Sequence, residues 1–151
     1  MIALIQRVTE ARVEIDGSVS AAIGRGILAL VGVERGDTET QAARLAERVL
    51  GYRIFPDAAG KMNLSLLDIK GDLLAVPQFT LAADTTQGMR AGFSSAAAPE
   101  DGRRLFERLV FLLNQKLPGV KTGTFGADMK VSLVNDGPVT FWLQVAPPKP
   151  S

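Results

Sequence analysis

Along its first third the chain alternates between apolar and polar positions. Residues 2–8, "IALIQRV", open as a strand. In residues 9–15, Thr9, Ala11, Val13 and Ile15 fall on one side, and Glu10, Arg12 and Glu14 on the other. That period of two marks a half-buried strand. Asp16-Gly17 is a hairpin signal, with a return strand around Val19 to Ile23. "GILALVGV", 26–33, is apolar throughout and reads as a central strand; a buried helical segment is the weaker alternative, since flanking glycines keep the run short.

The period changes at Asp37. Thr38 stands three residues before Gln41, the spacing of a capping box. Ala42, Leu45, Ala46, Val49 and Leu50 then share one face of an amphipathic helix. Residues 57–60, "DAAG", predict a turn, and "MNLSLLDI" and "DLLAVPQFTLA" follow as strand candidates around Lys70-Gly71. Residues 84–99, "DTTQGMRAGFSSAAAP", have no clear period; a loop this long inside a compact domain is either functional or a surface excursion. Pro99 suits the first turn of a second helix. Leu105, Phe106, Leu109, Val110, Leu112, Leu113 and Leu117 give that helix a wide apolar stripe, and Pro118-Gly119 ends it. Strand-like runs follow at 120–125, 129–134 and 139–145, and "APPKPS", 146–151, predicts a loose tail.

Frequent hairpin signals and only two substantial helices predict an α+β protein. The expectation is a single domain over 1–145, in which a curved, largely antiparallel β-sheet packs against two main helices. A doubly wound parallel sheet fits less well.

Composition narrows the chemistry. The chain has 151 residues, no cysteine and no histidine, and a net charge of +1. Absent histidine removes Ser-His-Asp and Cys-His catalysis, and with cysteine also missing, ordinary zinc sites. No cofactor or metal is expected. The small net charge gives no global pull on nucleic acid, so any such contact must be local. No run approaches the ~20 apolar residues of a membrane span, and the N-terminus lacks the pattern of a signal peptide. A cytoplasmic location is the default expectation, without membrane association.

Three segments remain as candidates for chemistry. In "AVPQFTLA", 75–82, Pro77 lacks the N–H that a central ladder requires, which predicts a sheet edge, a bulge or a strand end. The backbone of Gln78, Phe79 and Thr80 would then face a ligand, with the Gln78 amide, the Thr80 hydroxyl and backbone N–H groups able to meet an oxyanion. The alternative is a strand whose polar members bond locally. In "GMRAGF", Arg90 suits a phosphate and Phe93 a stacked base or pocket wall, against the plainer reading of a solvent-facing loop. "NDGPVTFWLQV", 135–145, puts a turn-forming cluster between two hydrophobic runs, either as a surface turn or as a projected piece of backbone. Phe141 and Trp142 face opposite sides of a regular strand, so one fills the core while the other lies under a helix, in a pocket or in a subunit interface; both as plain core material is the simpler alternative.

Together these segments resemble the D-aminoacyl-tRNA deacylase family. "PQFTLA" matches its SQFTL motif at Gln78, Phe79, Thr80 and Leu81, and "NDGPVT" matches its NxGPxT motif at Asn135, Gly137, Pro138 and Thr140. "GYRIFPDAAGKMN", 51–63, and "GMRAGF" match secondary blocks. Two departures stand out: Pro77 replaces the family's serine, and Ala91-Gly92 follows Arg90 where proline is usual.

The resemblance implies hydrolysis of the ester joining a D-amino acid, or glycine mischarged on tRNA-Ala, to the 3′-terminal adenosine of tRNA. It implies that the ribose 2′-hydroxyl helps activate attack, that backbone donors at Phe79 and Thr80 stabilise the oxyanion, and that Gln78 organises the pocket. It further implies a homodimer in which a cis Gly137-Pro138 pair enters the partner's site, receives the α-ammonium group and excludes L-side chains, with Asn135 and Thr140 bracing the tip. Thr80 is expected to orient rather than attack, since no base adjoins it in sequence. The competing expectations are a non-hydrolytic RNA-end binding module and a purely structural homodimer.

Overall fold

The computed structural model describes residues 1–149. β1 (Ile2–Ile15), β2 (Ser18–Ile23) and β3 (Gly26–Gly32) form the antiparallel start of a six-stranded sheet. Asp16 and Gly17 make the β1–β2 turn with φ of 51° and 79°, the left-handed pair that a tight hairpin needs. The helix α1 (Glu39–Gly51) starts at Thr38, whose capping box with Gln41 is complete, and buries Ala42, Leu45, Ala46, Val49 and Leu50. A small hairpin follows, β4 (Phe55–Pro56) and β5 (Met62–Leu64), then the single turn α2 (Leu66–Ile69). β6 (Asp72–Pro77) runs parallel to β3, and the long helix α3 (Pro99–Lys116) packs on α1. β7 (Lys121–Thr122) and β8 (Lys130–Gln144) complete the chain.

β1 organises the sheet. Its first half pairs with β3 and its second half with β2, while β8 pairs along nearly all of its other side. The strand order is β2-β1-β3-β6-β7, with contacts between β2 and β7 that draw the two ends toward each other and make the sheet curve. A curved sheet has two apolar faces. Ile27, Ala29 and Val31 of β3 and Leu73 and Ala75 of β6 face the helices. Leu28, Leu74 and Val76 point the other way and join Val8, Val13 and Ile23 in a second core. Burial on both faces explains why β3 reads as an unbroken apolar run. Fully buried leucines such as Leu45 and Leu109 each contribute about 1.5–3 kcal/mol by leaving water.

The N-terminal ammonium of Met1 lies between Glu34 and Asp37, 2.9 Å from each carboxylate, and donates to the Val145 carbonyl at 2.6 Å. Burial outweighs this partner at Asp37 and pushes its carboxyl above the ordinary range.

The α+β expectation stands, with one refinement: β3, β6 and β7 are parallel, so the sheet is mixed. Three local expectations are corrected. "MNLSLLDI" is not one strand, because Ser65 and Asp68 cap each other reciprocally and start α2. "DLLAVPQFTLA" is a strand only to Pro77; a 3₁₀ turn, Phe79–Ala82, replaces its second half. The run at 120–125 pairs only at Lys121–Thr122. The runs at 129–134 and 139–145 join into β8, irregular in register where Asn135 to Thr140 pass Gln6 and Val8. Residues 146–149 carry no regular secondary structure, and residues 150 and 151 of the expected tail lie outside the described residues. Among the described residues no helix is long and apolar enough to cross a membrane.

Candidate active site

The turn at Phe79–Ala82 is built by what sits beneath it. Gly32, at the end of β3, has no side chain; a Cβ there would lie 2.9 Å from Leu81 Cβ and 3.2 Å from the Gln78 carbonyl oxygen. The missing atom lets the turn close over the strand end. Pro77 ends β6, and the Gln78 N–H then donates to the Val31 carbonyl at 2.7 Å. That bond corrects the expectation that the backbone of all three motif residues faces outward. The Leu81 N–H returns to the Gln78 carbonyl at 3.2 Å. The N–H groups of Phe79 and Thr80, first in the 3₁₀ turn, meet no acceptor among the described residues, as is usual for the opening donors of a helical turn. The Gln78 side-chain amide donates to the Thr80 hydroxyl.

Cavities flank this turn on two sides. One, about 280 Å³, is lined by Gln78 and Phe79 on one wall and by Pro99, Gly102, Phe106 and Phe125 on another. Among the described residues no ionisable side chain lines it. The other, about 430 Å³, is a more open hollow bordered by Glu34, Thr80, Leu81, Ser95, Trp142 and Gln144. Phe79 is 63% exposed and Phe93 is 46% exposed, and their rings lie 5.4 Å apart at a tilt of 43°. Two large apolar side chains left this open beside a cavity are a surface made to be covered. The long loop thus brings Phe93 to the motif. It does not bring Arg90. Asp84 and Gly92 exchange backbone hydrogen bonds of 2.8 and 2.9 Å and close the loop off, leaving Arg90 exposed on its tip without an ion pair or hydrogen bond among the described residues.

The second motif forms a separate cluster. The Gly137–Pro138 peptide is cis. A Cβ on Gly137 would lie 2.5 Å from the Val139 nitrogen, so no other residue fits this backbone path. Asn135 braces it: its Oδ1 accepts from the Val139 N–H at 2.7 Å, and its Nδ2 donates to Thr140 Oγ1 at 3.0 Å and to the Val139 carbonyl at 3.3 Å. Thr140 is linked to the tip through the Asn135 side chain. Gly137 and Pro138 line neither cavity of their own chain.

Three residues at these clusters escaped the sequence reading. Arg7 Nε donates to the Asp136 carbonyl at 2.8 Å and its Nη1 donates to the Ile54 carbonyl at 2.7 Å, tying the tip to the segment before β4. Phe125 and Gly102 gave no signal, because only the packing of α3 against the end of β6 brings them to Gln78. Phe141 packs on Tyr52 with ring centroids 5.6 Å apart, while Trp142 is 52% exposed. Together they answer the strand-side question: the partly buried Phe141 ring packs against the core, and Trp142 borders the open hollow.

The sequence pattern of the family described as D-Tyr-tRNA(Tyr) deacylase matches residues 4–144. A D-aminoacyl-tRNA deacylase from Thioalkalivibrio sulfidiphilus (strain HL-EbGR7) is 66% identical over 149 residues, covering 99% of this chain and all of that protein. Among solved structures, a c-Myc DNA unwinding element binding protein superposes with a TM-score of 0.93 at 35% identity, over 97% of this chain and 99% of that one. A probable eukaryotic D-amino acid tRNA deacylase shares the fold, with a TM-score of 0.81 at 17% identity, over 95% and 98% of the two chains.

Proposed function

The chain belongs to the D-Tyr-tRNA(Tyr) deacylase family and is a hydrolase that cleaves the ester of D-aminoacyl-tRNA, and from that premise we propose how its residues divide the work. The terminal adenine enters the 280 Å³ cavity against Phe125 and Phe106, with Gln78 at its mouth. The ester carbonyl oxygen points at the unpaired N–H groups of Phe79 and Thr80. Water adds to the carbonyl carbon and gives up a proton to the ribose 2′-hydroxyl as the latter passes its own on, the negative charge that develops on the carbonyl oxygen is held by those two donors, and the intermediate collapses to expel the ribose 3′-oxygen, which takes up the relayed proton. The products are the free amino acid and tRNA.

The observation that carries this reading is a pair of backbone donors without an acceptor beside a cavity that, among the described residues, no ionisable side chain lines; Glu34, on the neighbouring hollow, is tied to the Met1 ammonium and the Gln144 amide. A pocket without a protein base suits a substrate that brings its own assistance, the adjacent 2′-hydroxyl of the ribose. Donors already aimed at the developing charge need no reorganisation during the reaction. Thr80, tied to the Gln78 amide, orients that side chain. A charged tRNA ending in 2′-deoxyadenosine tests the assignment: turnover should collapse, and turnover at the normal rate would place the base on the protein.

Selection by handedness needs the second cluster. In this reading Gly137 and Pro138 serve the partner's site in a homodimer, their carbonyls receiving the α-ammonium group and their backbone blocking an L-side chain. Support comes from the edge of β8, which among the described residues pairs only with β1, and from the half-exposed Val134 and Trp142 along it. An open edge of this length invites pairing with a second chain. The hollow beside Thr80 and Trp142 gives a partner's tip room to enter. Glycine has no side chain to exclude, so glycine mischarged on tRNA-Ala is also a substrate. Work on charged tRNA belongs in the cytoplasm. Two measurements test these points together: a scattering-derived mass of one chain at micromolar concentration removes the dimer, and equal turnover of L-Tyr-tRNA and D-Tyr-tRNA removes the filter.

A further inference from the structure

Arg103 stands on the first turns of α3, one residue after Gly102, which lines the apolar cavity. Its guanidinium carbon lies 5.0 Å from the ring centroid of Phe125, another wall of that cavity. The neighbouring cations are engaged elsewhere. Arg104 pairs with Asp101 at 3.5 Å, and Arg108 lies over Phe111 at 5.1 Å, farther along the helix. Arg103 is exposed and makes no ion pair among the described residues. Glu100 and Asp101 in the same first turn offset the attraction of the helix N-terminus for an anion, so a phosphate approaching this rim gains from a cation of its own.

The direction of the substrate makes the placement meaningful. The two ends of a ribose leave on opposite sides. With the 3′-ester against Phe79 and Thr80, the 5′ side is directed away from that turn, and the rim residue Phe125, which carries Arg103, is another wall of the same cavity. We propose that Arg103 binds the phosphate joining the last two nucleotides of charged tRNA. The guanidinium already rests over the ring, which lowers the ordering cost of a charge-assisted bond to phosphate. Arg103, rather than the loop residue Arg90, then supplies the local positive charge that a protein of net charge +1 requires. The inference rests on the reading that the cavity takes the terminal adenosine.

The test compares two substrates, D-tyrosyl-tRNA and 3′-O-D-tyrosyl-adenosine, which has no phosphate. Arg103→Ala should raise KM about tenfold more for the tRNA than for the adenosine ester. It should also flatten the dependence of log KM on log salt by about 0.7, the value of one contact to a single strand. Arg103→Lys should restore part of both effects. An equal loss on the two substrates would mean that Arg103 only positions Phe125, and no loss on either would mean no role at this rim; both outcomes overturn the proposal. If the adenosine ester turns over too slowly to measure, an unchanged salt slope on tRNA overturns it alone. Failure of the cavity reading looks different. A Cβ at Gly102 would lie 3.3 Å from the Phe125 ring, so Gly102→Val must obstruct the cavity. Wild-type turnover of both substrates by folded Gly102→Val removes the adenosine from this cavity whatever Arg103 does.

Discussion

Removing the Arg7 side chain tests whether the Gly137-Pro138 tip works as a fixed gate. Arg7 is 14% exposed and holds two backbone carbonyls, those of Asp136 at 2.8 Å and Ile54 at 2.7 Å. Each hydrogen bond from a charged donor contributes about 1.5–3 kcal/mol. The Asp136 carbonyl lies at the surface and regains water when Arg7 goes, so the upper half of that range does not apply to it. The Asp136 carboxylate, 3.8 Å away and half exposed, adds at most about 1 kcal/mol. A net loss of about 2–3 kcal/mol for Arg7→Ala follows, concentrated on the tip and the segment before β4. At about 1.4 kcal/mol per tenfold, 2 kcal/mol corresponds to a roughly 30-fold larger population of displaced tip. If the tip is the chiral gate, the ratio of D-Tyr-tRNA to L-Tyr-tRNA turnover should fall by a comparable factor. Arg7→Lys, which keeps the charge but cannot bridge both carbonyls with one fork, should fall between. The assay is the pair of deacylation rates at limiting substrate, with amide hydrogen exchange at Gly137 and Val139 reporting the tip and urea unfolding reporting the whole chain. An unchanged ratio together with faster exchange at Val139 would show that a loose tip still discriminates, and the gate argument would be wrong.

Thr80→Val deletes the hydroxyl that receives the Gln78 amide and keeps the shape; one neutral hydrogen bond of about 1 kcal/mol should cost about fivefold in kcat/KM, and complete loss with a trapped acyl-enzyme in the unaltered protein would identify Thr80 as a nucleophile instead. Gly32→Val forces atoms against Leu81 and the Gln78 carbonyl; overpacking should lower stability by about 1–3 kcal/mol and displace the turn, and full activity in that variant would show that the turn tolerates displacement. The Asp84 carboxyl is held below its ordinary 3.8 by hydrogen bonds from the Thr86 hydroxyl and N–H, so its contribution to loop stability is present above that value and is lost as the pH falls through the folded pKa. Asp37 runs oppositely, since burial raises its pKa and its contribution is lost as the pH rises through the raised value. Carbon-detected titration of the two side chains checks both signs, and an Asp84 midpoint at or above 3.8 contradicts the first.

Much of this protein was legible from residue order because the interactions responsible are local. The hairpin at Asp16-Gly17, the Thr38–Gln41 cap, the Pro99 start of α3 and the two-sided burial of β3 all follow from neighbours within a few positions. The two site motifs were visible for the same reason: each is a short run whose backbone special pleading, Pro77 in one and Gly137-Pro138 in the other, is written in residue type. Where local signals competed, the reading failed. Residues 78–82 have strand-like alternation, yet the turn forms because Gly32, more than forty positions away, leaves room for Leu81 above β3. Ser65 and Asp68 likewise outweighed the apolar pattern around them by capping α2. The cavity wall at Gly102 and Phe125, the stacking of Phe93 on Phe79 and the Arg7 bridge to Ile54 and Asp136 had no local signature. They exist because α3, the long loop and β8 are brought against distant parts of the chain, and nothing in the spacing of residues along a single strand or helix encodes which distant atom will fill the space beside it.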